Sequence, residues 1–222
     1  AERWNDTSDA CEFTAFKAYE YTLTPQMSKL HRNVIFRNAA VPELPISSID
    51  QPEAEGLWRE LEARCVDAGT GCDALTIPHN SNLSNGRMFA VDYPGTRGIE
   101  EERARAALRA ALEPLVEIMQ HKGDSECRIG AGEADEYCGF EKLPYDDFIG
   151  NTFPWLRREA GPMSFIRNAL LHGLVVEDST GQNPYRFGLI GGTDTHLAAA
   201  GAAEETSFPG HGDRVESQSA GS

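Results

Sequence analysis

The stretch FGLIGGTDTH, residues 187–196, runs from apolar residues into Asp194 and His196, two positions apart. On a β-strand alternate side chains share a face, so this spacing would aim a carboxylate and an imidazole at one point. Oxygen and neutral nitrogen donors together suit zinc, manganese or iron better than calcium. Taken alone, the pair more readily describes a turn with a hydrogen-bonded Asp and a surface His. A metal needs further donors, and three other apolar segments end on them. AYEYT ends near Glu20, ALTIP is followed by His79 and Asn80, and LVEIM contains Glu117. Carboxylates or imidazoles at four separate strand ends are more than chance placement of polar caps supplies.

The elements that must position these residues alternate along the chain. Residues 13–23 and 33–38 are rich in aromatic and β-branched side chains and read as strands, as do the short apolar runs 74–78, 115–119 and 187–192. Residues 41–56 are Pro-rich and read as a surface loop. Leu57, Trp58, Leu61 and Cys65 recur at helical spacing before Gly69. Residues 100–114 form a strong helix, with Glu101 four residues before Arg105 and Pro114 at its end. Residues 164–177 read as a helix capped by Ser164 and broken near Gly173, and residues 212–222 as a flexible tail. Strands separated by helices imply parallel pairing by right-handed crossovers. The expected fold is therefore α/β, a parallel sheet or barrel with outer helices and its chemistry beyond the carboxyl ends of the strands.

Composition sets the outer limits. The 222 residues are 40% apolar and 25% charged, enough for one globular domain. A net charge of −15 with no basic tract argues against nucleic acid or an anionic membrane surface as partner. No apolar run approaches the ~20 residues needed to cross a bilayer. Of five cysteines, Cys65 and Cys72 flank one glycine-containing segment, and Cys127 and Cys138 flank another, so each pair can close a local disulfide. A four-cysteine zinc site and free buried thiols are the competing readings. The gaps within each pair are longer than zinc sites use. Cys11 is left over. Two bridges point to an exported protein, periplasmic or extracellular, with the cytoplasm the alternative.

The strings AYE, IPHN, VEI and GGTDTH, in this order, resemble later motifs of the PHP (polymerase and histidinol phosphatase) superfamily of metal-dependent phosphoesterases. LHRNVIF, IPHNSNLSNG, KGDSE and CGFE further resemble an uncharacterised PHP-like branch of bacterial proteins. The resemblance spans Phe13 to His211. It implies a distorted, TIM-like β/α barrel holding two or three divalent ions, with Glu20, His79, Asp194 and His196 as metal ligands and Glu117 behind them. His31 occupies a place where the superfamily often has another ligand. His31 and His211 are the candidates to protonate a leaving group, and Arg32, Asn80, Asn82 and Lys122 the candidates to hold an anionic substrate. His172, inside a helix, reads as structural.

One departure stands out. The superfamily's first motif, two histidines separated by one residue, occurs nowhere in the chain. The expectation is a single domain, 1–222, whose first strands and ligands would lie upstream of Ala1. Such a domain would self-associate through a raw sheet edge. The function the resemblance implies is a phosphoesterase that uses a water activated between metals on a small phosphorylated molecule. The alternatives are hydrolysis of non-phosphate esters or amides, and a non-catalytic binding or structural domain.

Overall fold

A computed structural model describes residues 3–89, 98–120, 122–139, 160–194 and 196. Its elements are β1 Lys17–Tyr21, β2 Arg32–Phe36, α1 Ala54–Leu61, β3 Ala74–Pro78, α2 Ile99–Leu112, β4 Leu115–Gln120, β5 Gly123–Asp124, α3 Ile166–Thr180 and β6 Gly188–Gly191. They form two three-stranded sheets, ordered β1-β2-β3 and β5-β4-β6.

The expected parallel barrel is not what forms. The first sheet is antiparallel throughout, β4 pairs with β5 antiparallel, and only β4 and β6 run parallel. Among the described residues no barrel closes, and the architecture is mixed α/β with three helices. The physical reason lies in the connections. Residues 22–31 join β1 to β2 without an α-helix, and so short a link returns the chain beside its own strand, whereas a parallel crossover needs about a dozen residues or more. Between β2 and β3 the chain does carry α1, yet it comes back antiparallel. A helix between two strands permits a crossover without compelling one.

Alternation along the strands of the first sheet separates a core face from the other. Tyr21, Val34, Phe36 and Ala74 point to the buried side and pack against Leu57, Trp58 and Leu61 of α1. Glu20 therefore faces away from that core, paired across the ladder with Asn33. The second cluster seats Ile166 and Ala169 of α3 on Val116 of β4, with Met88, Phe89 and Tyr185.

Between the two clusters lies a buried ionic group. Glu113, directly after α2, pairs with both Arg32 and Arg109 and accepts a hydrogen bond from Trp58 Nε1 at 3.2 Å. Arg109 donates to the Met88 carbonyl at 2.8 Å and lies over the rings of Trp58 and Tyr185, at 5.1 and 4.7 Å. Two arginines sharing one buried carboxylate satisfy a charge that would be costly alone.

Two disulfides, Cys65–Cys72 and Cys127–Cys138, are present with Cα atoms 4.9 and 5.6 Å apart, and Cys11 is a free, exposed thiol. This chemistry is that of non-cytoplasmic, oxidising compartments. None of the described helices is long and apolar enough to cross a membrane. The helix α3 runs unbroken through Gly173, and its N-cap is Phe165 rather than Ser164. The expected break is absent because Gly173 serves a close approach. A Cβ there would stand 2.4 Å from Asn183 Oδ1 and 3.2 Å from the Tyr185 Cβ.

Candidate functional site

Antiparallel pairing decides which ends meet. The close of β1, the start of β2 and the close of β3 fall on one edge of the first sheet, so Glu20 on β1, His31 just before β2 and His79 just after β3 become neighbours. The His79 amide donates to the His31 carbonyl at 3.1 Å, and the two imidazole centroids are 5.7 Å apart. His31 Nδ1 stands 3.0 Å from Glu20 Oε1. That imidazole is the main reason the Glu20 carboxyl is lowered to about 2, with the Thr22 hydroxyl adding to it and partial burial opposing.

The second sheet delivers the remaining groups. The segment after β6 brings Asp194 and His196 to Glu20, so that one donor atom from each of the three lies within 4.8 Å of the other two. His196 Nε2 is 3.6 Å from Glu20 Oε2. The two-residue spacing operates differently from the expectation. The strand stops at Gly191, Asp194 adopts φ +54°, and His196 Nδ1 lies 2.8 Å from the Asp194 carbonyl. Both residues lie beyond the end of the strand, so strand alternation is not what brings the pair together. A non-glycine residue held in the left-handed region is a backbone feature that concentrates at functional sites.

Behind this cluster Glu117 is buried on β4, where the ladder with β6 slips between Glu117 and Met119. Its Oε2 accepts hydrogen bonds from the Asn80 amide at 2.9 Å and from Gln120 Nε2 at 2.7 Å, and burial pushes its carboxyl above the ordinary value. A Cβ on Gly192 would stand 2.9 Å from Glu117 Oε1, so glycine is what lets the Asp194 segment pass over this carboxylate. The polar loop after β3 is buried as well. Asn82 receives Asn80 Nδ2 and Ser125 Oγ at its carbonyl oxygen and donates to the Lys122 carbonyl at 3.0 Å. Lys122 Nζ itself forms an ion pair with Asp194 Oδ2.

His79 is the singular group. It is 3% exposed, and among the described residues no polar partner reaches either ring nitrogen. Burial lowers its pKa to about 4, against the pull of the Asp194 and Glu20 carboxylates, so the ring is neutral at pH 7. A neutral imidazole with an unused buried nitrogen is a ligand in the form a metal requires. Glu20, Asp194 and His196 are the described donors that come close enough together to hold a metal ion, and the orphaned His79 ring is buried near their carboxylates.

Of the residues expected from the sequence, Glu20, Asp194 and His196 form one cluster, with His31, His79, Glu117 and Lys122 around it. Asn80 and Asn82 are engaged in the buried loop. Arg32 turns away from the site, into the Glu113 ion pair. His211 and the tail 212–222 lie outside the described residues. The loop 41–56 gives way to α1 at Ala54. His172 sits partly buried on α3. Sequence reasoning missed Lys29, whose ammonium is held below its ordinary pKa by burial and by the neighbouring charge of Lys122. A lysine two positions before His31 was the available signal.

The family model described as "Protein of unknown function (DUF3604)" matches residues 1–222, and the chain belongs to that family. No curated protein and no solved structure matches it.

Proposed function

We propose that this protein is a metal-dependent hydrolase whose divalent ion, zinc, manganese or iron, is held by Glu20, Asp194 and His196 with His79 as the inner imidazole. The observation that carries the reading is His79: a neutral, fully buried ring with both nitrogens unpartnered among the described residues, beside two carboxylates. Burying such a ring without a partner costs about 1–3 kcal/mol, a cost a bound ion would offset. The motif strings shared with the PHP superfamily support the same donor set, and they favour a small phosphate ester as substrate. The chemistry supplied by such an ion is Lewis acidity and a water acidified to near-neutral pH.

The chain's own residues do the rest. Glu20 orients His31, which in this reading gives a proton to the departing oxygen. Glu117 fixes the Asn80 backbone, and through it the loop that carries His79. Lys122 offers a positive charge for an anionic substrate. The two disulfides support a periplasmic or extracellular setting. The experiment is metal analysis together with hydrolysis of p-nitrophenyl phosphate, a carboxylate ester and an anilide by the wild type and by His79→Ala. Bound metal and phosphate-ester hydrolysis should both fall in the variant. Unchanged metal content would remove His79 from the site, and turnover of the carboxylate ester or anilide alone would reassign the substrate. The Lys122–Asp194 ion pair favours a second reading, a domain that binds without turnover, because it already neutralises one ligand. Metal binding without hydrolysis of any of the three substrates would select it.

A further inference from the structure

We propose that Lys122 is a built-in occupant of the cation position, holding Asp194 until a divalent ion takes that carboxylate and then turning its ammonium to an anionic group of the substrate. This rests on the metal reading above and goes beyond it by coupling metal and anion binding.

Three observations support the exchange. The Lys122 ammonium is in contact with Asp194 Oδ2, and the two side chains are only 17% and 9% exposed, so the pair is withdrawn from water rather than a surface contact. The main chain of Lys122 is anchored, since its carbonyl accepts Asn82 Nδ2 at 3.0 Å. A flexible four-carbon stem on a fixed backbone can change partner without moving the loop. Lys29 stands close enough for its charge to be felt by Lys122. When a metal engages Asp194, Lys122 loses that counter-charge while facing both a dication and a second ammonium, and a phosphate-like dianion is the group that best replaces it. Metal and anion should therefore each strengthen the other's binding, by the same factor.

The test is calorimetric titration of chelator-stripped protein with zinc chloride, manganese chloride and inorganic phosphate. Lys122→Met should bind the metals more tightly than the wild type, by about 10-fold, within the usual range of coupling between sites. In the wild type the metal should raise phosphate affinity and phosphate should raise metal affinity equally. Lys122→Met should lose most of that coupling. Lys122→Arg, which keeps the charge, should bind the metals as the wild type does. Lys122→Gln is the second charge-removing variant should Met prevent folding, with circular dichroism as the control. Equal metal affinity in the wild type and the charge-removing variants, or undiminished phosphate coupling without Lys122, overturns the exchange and leaves the metal site standing. Failure of every protein to bind either metal overturns the site itself and the exchange with it.

Discussion

His79 carries its unused nitrogens at a cost that depends on pH. Its folded value is near 4 against an ordinary 6.5, so between these limits the unfolded chain binds the proton that the folded protein refuses. Stability rises with pH through this window, and the contribution is complete above about 6.5. In metal-free protein, acidification from pH 6.5 to 4 should cost about 3 kcal/mol from this group. His79→Gln should flatten that limb of the urea-denaturation profile measured against pH. A slope that survives the substitution would assign it to other groups. The lowered Glu20 carboxyl acts in a separate and lower window, its stabilisation present above about 4.5 and lost toward about 2.

Among the elements, α3 shows a glycine kept for contact against helix propensity. Gly173→Ala should gain about 1 kcal/mol from propensity alone. The added Cβ would meet Asn183 Oδ1 at 2.4 Å, and that oxygen is already committed to the Tyr185 amide at 2.9 Å. Tyr185 in turn donates to the Phe89 carbonyl at 2.8 Å and lies within the cluster that seats α3 on β4. Overpacking of this kind costs about 1–3 kcal/mol. The expected outcome of thermal denaturation is a net loss of stability in Gly173→Ala, and a gain would mean that the Asn183 side chain yields freely.

At the scale of the whole molecule, two small sheets are joined by packed helices, the Glu113 ion pairs and two short covalent loops. Cys65–Cys72 ties the end of the first helical segment to the approach of β3, the strand that delivers His79. Cys127–Cys138 closes a loop whose Asp135, together with Glu126 directly before it, grips Arg167 of α3. Loops of this length stabilise by about 2–3 kcal/mol each in the chain-entropy account. Replacing Cys127 and Cys138 together by Ser should lower the melting temperature and loosen α3, seen as faster amide exchange in residues 166–180. Exchange as slow as in the wild type would show that packing alone holds the helix. Dithiothreitol should lower the melting temperature of the wild type more than that of this variant.

The residue-level chemistry was readable because it is local. Five apolar runs that form strands, the helix between Glu100 and Pro114, the glycine-flanked cysteine pairs and the polar residues at strand ends are all written in spacing over a few positions. Strand direction is only partly local. The short β1–β2 link leaves only antiparallel pairing, but β2 and β3, with α1 between them, could pair either way until the whole chain packed, and antiparallel pairing placed His31 before its strand and His79 after its own on one edge. The sequence likewise marked Asp194 and His196 by their spacing, but φ +54° at Asp194 arises just after the chain crosses Glu117 at Gly192. Arg32 shows the limit most plainly. Its type suggested an anion, and only the fold revealed that the nearest anion is Glu113, 81 positions away in the chain and buried in the core. Sequence alone determined which residues could do chemistry and where elements begin and end, because those depend on neighbours in the chain. Tertiary structure decided which residues meet, because burial and charge pairing are settled between segments far apart in sequence.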